Sequence, residues 1–417
     1  MSAANLPIKN TANISFDNTQ IAFAYKSTED LKKAKFLFAS MGKPWLLNFG
    51  LKVTPWAISL NLPFTKTAIR KTIFHQFVGG ETLEETAPVA HRLNDFKVKV
   101  ILDYGVEGGH NGEEGFELSM VEFIRVINYA ATQSNIPFMS IKVTGCTRFG
   151  LLERLDTLMH AQTGTLMRRY LNAVEQLTPA EKEEWHRVRL RLLHICEIAA
   201  KKNIGVLVDA EETWIQDPVD ALTILMMDTF NKGKAIVYNT VQLYRHDRLK
   251  FLIDSHEAAE ERDFVLGAKL VRGAYMEKER ERAIAMNYPS PIQASKEDTD
   301  RDYDEAVKFC IEHIERIATI VATHNENSNL VAVEAALAKG IALNHPHLHF
   351  SQLFGMSDNI TFNLANEGCA VSKYLPFGPI KDVIPYLMRR AQENSSVSGQ
   401  TGRELGLIEK ELNRRKS

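Results

Sequence analysis

The sequence predicts an α/β fold whose parallel strands close into a (β/α)8 barrel of TIM type, and three observations lead there. Eight short apolar runs follow one another, most of them separated by helix-period segments. Ionisable or amide side chains stand at the end of nearly every run, where such a barrel gathers its chemistry. The chain has 417 residues, 45% of them hydrophobic, enough to bury one large core or two modest ones. A doubly wound open sheet is the alternative that the pattern leaves open.

Residues 1–95 read as a helical arm, with helices at 27–40, 67–78 and 83–94 around a middle containing Pro and Trp. The stretch 36–64 is rich in Phe, Leu and Trp, but Lys43, Pro44, Lys52 and Pro55 interrupt it. It falls short of the ~20 apolar residues of a membrane span. Core packing is the expectation there, with an interfacial patch on a membrane as the alternative. The strands are expected at 98–104, 138–143, 204–210, 235–240, 265–271, 317–323, 348–353 and 370–375. Their exits carry Asp103 with Glu107, Lys142, Asp209 with Glu211, Gln242, Lys269 with Arg272, His324 with Asn325, Gln352 and Tyr374. A few of these, such as Asp209 or Asn325, could instead cap the helix that follows.

The connection 147–203 is long and divides into helical halves at 151–176 and 179–202. Thr178 and Pro179 mark the start of the second half, a cap followed by a first-turn proline. This reads as a helical hairpin inserted between strands two and three of a barrel domain spanning 96–394. Residues 395–417 read as a polar tail with a short helix and a basic end.

Residues 383–393 carry the most distinctive pattern. Val383, Ile384, Leu387, Met388 and Ala391 share one arc of a helix, while Tyr386, Arg389, Arg390 and Glu393 gather on the other. Two adjacent guanidiniums beside a tyrosine and an acid suit a carboxylate, which the planar fork can grip bidentately. The bland alternative is a solvated helix face.

Composition narrows the function classes. A net charge of −2 and a pI of about 6.7 give no pull toward nucleic acid. Cys146, Cys196, Cys310 and Cys369 lie far apart, the usage of a reducing compartment without disulfides or a cysteine zinc site. Residues 1–26 include Asp17 and lack an apolar h-region, so a cytoplasmic chain without a leader is expected. The glycine-rich loop 105–112 has neither GxGxxG spacing nor a P-loop Lys, and reads as a lid. His345, His347 and His349 alternate, but at the strand's entry face and without a carboxylate, so no metal site is expected.

Three segments together resemble the proline dehydrogenase family. They are Lys269-Leu-Val-Arg-Gly-Ala-Tyr275-Met276, Ala322-Thr-His-Asn325, and Tyr374-Leu-Pro-Phe-Gly378 with the helix Tyr386-x-x-Arg-Arg-x-x-Glu393. Asp103-Tyr-Gly-Val-Glu107, Ile141-Lys142 and Asp209-Ala-Glu211 fit the same pattern in the same order, so the resemblance runs from about residue 77 to 393.

The resemblance implies a distorted barrel holding FAD at its strand ends, with the eighth helix over the mouth, in a monofunctional, eukaryotic-type enzyme. It further implies that Lys142, Arg389 and Arg390 hold the carboxylate of L-proline, with Glu107, Asp209 and Glu393 as counter-charges. Tyr275, Leu353, Tyr374 and Tyr386 would wall the proline ring; Lys142, Tyr374, Arg389 and Arg390 would be the catalytic set. Asp209, Gln242, Lys269, Arg272, Gly273, Ala274, Tyr275, Thr323, His324, Asn325 and Glu393 would line the flavin. The reaction implied by the resemblance is hydride transfer from proline C5 to flavin N5, which would give pyrroline-5-carboxylate. A membrane quinone and a separate pyrroline-5-carboxylate dehydrogenase are the implied partners, with peripheral attachment at the inner face of a membrane. Tyr374 leaves little room for a 4-hydroxyl, which favours proline over hydroxyproline. The order Lys269 then Arg272 reverses that of some relatives and leaves open which cation approaches N5. The rival functions are a lyase with Lys142 or Lys269 as Schiff-base nucleophile, a folate reductase on the same fold, and a non-catalytic carboxylate binder.

Overall fold

The structure, a computed structural model, describes residues 14–43, 65–105, 112–396 and 400–417. Eight parallel strands close a barrel in strict sequence order: β1 Lys99–Tyr104, β2 Phe138–Ile141, β3 Gly205–Val208, β4 Val237–Gln242, β5 Leu266–Val271, β6 Ile317–Ala322, β7 Leu348–Leu353 and β8 Val371–Phe377. The ring closes through β1 on β8, Lys99 beside Ser372 through Tyr104 beside Phe377. The open sheet is thereby excluded. Strand β2 is shorter than expected because the chain turns into a 3-10 helix, Val143–Gly145, immediately after Lys142.

Two apolar layers follow from the period-two alternation of side chains. Ile101, Leu207, Tyr238, Ala318 and Ile320 fill the barrel interior, with Phe138 and Tyr374 packed against them. The opposite strand faces, including Val100, Leu102, Val206, Val208, Val321 and Phe350, meet the surrounding helices in the main core. Space inside is tight: a Cβ on Gly267 would meet the Val237 carbonyl at 2.2 Å. His349 belongs to this interior, edge-on to Phe138 at 5.1 Å and hydrogen-bonded to Ser372 Oγ at 2.7 Å. His347 instead binds the Ile314 carbonyl, so the alternating histidines do not converge.

The long β2–β3 connection departs in detail from the expected hairpin. It holds three helices, Phe149–His160, Leu166–Glu175 and Pro179–Lys202. The first half is broken at Gly164, whose φ of +110° an L side chain rarely adopts, and Thr165 caps the next helix. The capping box of Thr178 and Glu181 starts the last helix as expected.

Outside the barrel lies a second core. The arm helix Thr28–Met41 contributes Leu31, Ala34 and Phe38; the segment ending in helix His75–Phe77 contributes Phe74 and Phe77. Helix Ile380–Ser396 adds Val383, Ile384, Leu387 and Ala391. Helix Gln400–Arg414 adds Leu407, Ile408 and Leu412, so the expected polar tail is a packed element. Its apolar residues fall at helical spacing within a polar majority, which hid them. Of the 36–64 stretch, Phe38 is buried as expected, Phe36 is 73% exposed, and 44–64 lie outside the described residues. No helix among the described residues is long and apolar enough to cross a membrane.

Candidate active site

Counting in twos along each strand places the polar exits. Asp103 is two residues beyond the inward Ile101, Asp209 two beyond Leu207, and Lys142 four beyond Phe138. Gln242 lies four beyond Tyr238, and His324 two beyond Ala322. Side chains on one strand face repeat at that period, so all of these point to the mouth of the barrel.

The mouth is a lattice of paired charges. Lys269 Nζ binds Asp209 Oδ1, whose other oxygen accepts from the Tyr374 hydroxyl at 2.7 Å. Burial works to raise the Asp209 carboxyl, yet Lys269 and Lys142 together hold it below the usual carboxylate range. Lys142 Nζ itself lies 3.9 Å from Asp103 Oδ1. Among the described residues, Asp209 thus pairs with Lys269, and Lys142 with Asp103. Asp103, read in the sequence as a strand exit and as part of the first-strand motif, is not among the counter-charges expected there. Lys269 also stands 5.5 Å from the centre of the Tyr374 ring. Of the two cations of the fifth-strand motif, Lys269 faces the interior.

Arg272, just past β5, is turned aside. It donates to Asp300 at 2.9 and 2.6 Å, to Thr323 Oγ1 at 2.7 Å and to Ser328 Oγ at 2.9 Å. Its guanidinium lies 4.1 Å over the Tyr303 ring. Asp300 and Tyr303 come from helix Lys296–Glu312, and nothing local in the sequence marks them. Asn325 caps helix Glu326–Ala338 through Ser328 N–H, the role allowed for it beside cofactor contact. Gly273 and Ala274 are exposed at the strand end.

Among the described residues of helix Ile380–Ser396, buried side chains lie on both arcs, which removes the reading of a solvated face. Tyr386 and Arg390 are buried, and the Arg390 guanidinium lies 5.2 Å from the Tyr386 ring centre. Burial pushes the Tyr275 hydroxyl well up; the charge of Glu211 adds to this, while Arg389 and Lys142 oppose it. Tyr275, Lys142 and Arg389 therefore share one neighbourhood, although they come from three separate segments. Leu353 is half-buried at the end of β7. Glu107, the rest of the lid loop at 106–111, and the Glu393 side chain fall outside the described residues.

Support comes in part from residues the sequence did not single out, Thr144 and Arg191. Thr144 donates to the Glu211 carboxylate at 2.9 Å, and Gln242 Nε2 donates to the Glu211 carbonyl at 2.8 Å. Arg191, 2% exposed, reaches the Cys146 carbonyl at 2.9 Å and Glu117 at 2.7 Å, bracing the turn that follows Lys142.

The donor set fits a flavin. Gln242 Oε1 is buried without a hydrogen-bond partner among the described residues, on an inward position at the end of β4. A buried acceptor in that state calls for a donor such as a ring N–H. Lys269 and Arg272 supply positive charge at the adjoining strand end. Among the described residues, one group brings three possible metal ligands together, Asp156, His160 and Asp217. Arg169 already binds Asp217 at 2.7 Å and His160 pairs with Asp156 at 3.1 Å, so its charges are matched within the protein.

Comparison with known proteins agrees. The proline dehydrogenase family profile matches residues 87–403. The protein named proline dehydrogenase 1, mitochondrial, of Dictyostelium discoideum is 32% identical over 83% of this chain and 65% of its own length. Hydroxyproline dehydrogenase of Homo sapiens is 30% identical over 99% of this chain and 96% of its own. Proline utilization A of Bdellovibrio bacteriovorus, in the crystal structure inactivated by N-propargylglycine, shares the fold with a TM-score of 0.70 at 19% identity. It is covered over 91% of this chain and 42% of its own. The chain thus spans just under two thirds of the slime-mould protein and under half of the bacterial one.

Proposed function

The chain belongs to the proline dehydrogenase family, and we propose that it oxidises L-proline to 1-pyrroline-5-carboxylate, the first step of proline catabolism. The observation that carries this reading is the shared neighbourhood of Lys142, Arg389 and Tyr275 at a barrel mouth that also offers Gln242 Oε1, an acceptor unmet among the described residues.

Lys142, Arg389 and Arg390 would take the substrate carboxylate, three cations around one anion giving both affinity and a fixed orientation. Tyr275, Leu353, Tyr374 and Tyr386 would wall the pyrrolidine and exclude water. The bond from Tyr374 to Asp209 at 2.7 Å fixes where that ring stands. Gln242, Lys269, Arg272, Gly273, Ala274, Thr323, His324 and Asn325 would hold FAD, with Asp209, Tyr275 and Glu393 alongside. Glu107, Asp209 and Glu393 would serve as the supporting counter-charges. FAD, when bound, would supply the redox chemistry by accepting a hydride from proline C5, with a membrane quinone as the proposed acceptor of its electrons. A cation beside the flavin favours its reduced, anionic form, and Lys269 is the one facing inward. The product would pass to a separate pyrroline-5-carboxylate dehydrogenase. The four buried, free cysteines suit a reducing compartment, in keeping with a cytoplasmic protein peripheral to the inner face of a membrane.

Hydroxyproline is the second reading, favoured by the likeness to the human protein of that name. A tyrosine ring at position 374, if it walls the pyrrolidine, would leave little room for a 4-hydroxyl, which weighs against it.

The visible spectrum before and after anaerobic L-proline tests both. A flavin band bleached by proline is the expected result. Bleaching by hydroxyproline alone would change the substrate, and no flavin after incubation with FAD would bring the lysine-dependent lyase forward.

A further inference from the structure

His324 follows β6 and is held from behind by residues that lie far from it in sequence. Its Nδ1 is 2.9 Å from Ser357 Oγ, which leaves Nε2 for another partner. Burial, together with the charges of Lys373, Arg390 and Arg272, pushes the imidazole down to about 3, so it is a neutral ring offering one N–H. Ser357 is 3% exposed and stands in the left-handed region, with φ 49° and ψ 45°. A non-glycine residue there needs outside support. That support is Glu404 of helix Gln400–Arg414, whose carboxylate accepts from the Ser357 N–H. Glu404 is itself 5% exposed. The preceding residue is braced as well, since Gln352 Nε2 donates to the Thr323 carbonyl at 3.2 Å and Thr361 donates to Gln352 Oε1 at 2.8 Å.

We propose that Ser357 is a positioning residue for His324, and that Glu404 holds Ser357 in place, so that helix Gln400–Arg414 completes the cofactor-contacting edge of β6. This rests on the FAD reading above. On this reading the helix acts through the protein, by fixing the backbone of Ser357, whose hydroxyl then fixes the rotation of the imidazole.

Ser357→Gly is the informative substitution, because it deletes the hydroxyl while relieving the left-handed strain. We expect FAD affinity, measured by fluorescence titration of the apoprotein, to fall about tenfold, the worth of one hydrogen bond. The apoprotein should melt no lower, and KM for proline at saturating FAD should stay within about twofold. Ser357 acts through His324, so Ser357→Gly should cost nothing more in a His324→Ala background. Glu404→Ala should weaken FAD in the same way, and Glu404→Gln, whose amide oxygen still accepts from Ser357 N–H, should restore it. Wild-type FAD affinity in Ser357→Gly, or additive losses in the double variant, would overturn the proposal. A wild-type protein that binds no FAD would instead overturn the reading on which it rests.

Discussion

Arg389→Met is expected to raise the KM for proline by about thirtyfold or more, while the protein still purifies with FAD. Methionine keeps the length and apolar stem of the side chain, so the seat of helix Ile380–Ser396 in the second core is preserved. What is lost is one charge-assisted partner of a carboxylate, a change worth about 2–5 kcal/mol. Every 1.4 kcal/mol is a factor of ten in affinity. The arginine charge already bears on Tyr275 together with that of Lys142. Lys142→Met should therefore act in the same direction, and the two changes should not be additive. Steady-state kinetics at saturating FAD, with the 450 nm band as the check on cofactor content, measure this. Unchanged proline kinetics would take the helix out of the active site.

Asp358→Ala is expected to be the most damaging single change to stability, by about 3–5 kcal/mol. Its two carboxylate oxygens bind Lys373 and Lys26, each at 2.9 Å, and Tyr25 donates to it at 2.8 Å. Lys373 has no exposed surface, so alanine would strand a cation inside the protein. Thermal melting of the apoprotein separates this effect from loss of cofactor. The same cluster gives the molecule a pH signature. Burial works to raise Asp358, but Lys26 and Lys373 hold it at about 2, below its ordinary 3.8; its contribution is present above pH 3.8 and lost as pH falls through 2. Glu404 goes the other way: burial and the charge of Asp358 raise it from 4.5 to about 7. Its contribution is therefore full below pH 4.5 and lost as pH rises through 7, an effect of roughly 3 kcal/mol. Glu404→Gln should remove that alkaline loss. Its melting temperature should fall less than that of the wild type between pH 5 and 8, and parallel curves would refute the assignment.

The barrel was legible because each strand is a dense apolar run and each exit a polar exception to it. Lys142, Asp209, Gln242, Lys269 and Tyr374 were placed at strand ends by counting alone, and the structure puts them at one mouth. Pairing was not legible in the same way. Asp209 meets Lys269 and Lys142 meets Asp103 because of lateral distance between strands, which a linear sequence does not record. Arg272 could be seen as a cation but not as one turned toward Asp300, since that acid stands on a helix with no apolar-to-polar anomaly to flag it. Helix Gln400–Arg414 was read as part of a polar tail because its buried stripe is narrow. Its two deeply buried acids, Glu404 and Glu411, look like solvated surface until their partners are in view.

The second core joins segments that are almost a whole chain apart. Arg415 donates to the Phe23 carbonyl across 392 positions, and Lys410 to the Asp17 carbonyl across 393. Closing so long a loop costs entropy before any contact repays it, whereas every barrel pairing but the closing one of β1 on β8 joins strands consecutive in the chain. The barrel can therefore assemble first and the clasp of arm and final helix last. By the same ordering, the clasp is expected to open before the barrel does, without global unfolding. Since Glu404 sits in the clasp and Ser357 beneath it, such opening would loosen the end of β6 at which FAD is proposed to bind, while the strands stay closed. Cofactor exchange could then run at the rate of a local breathing motion, far faster than the unfolding of the barrel that carries the chemistry.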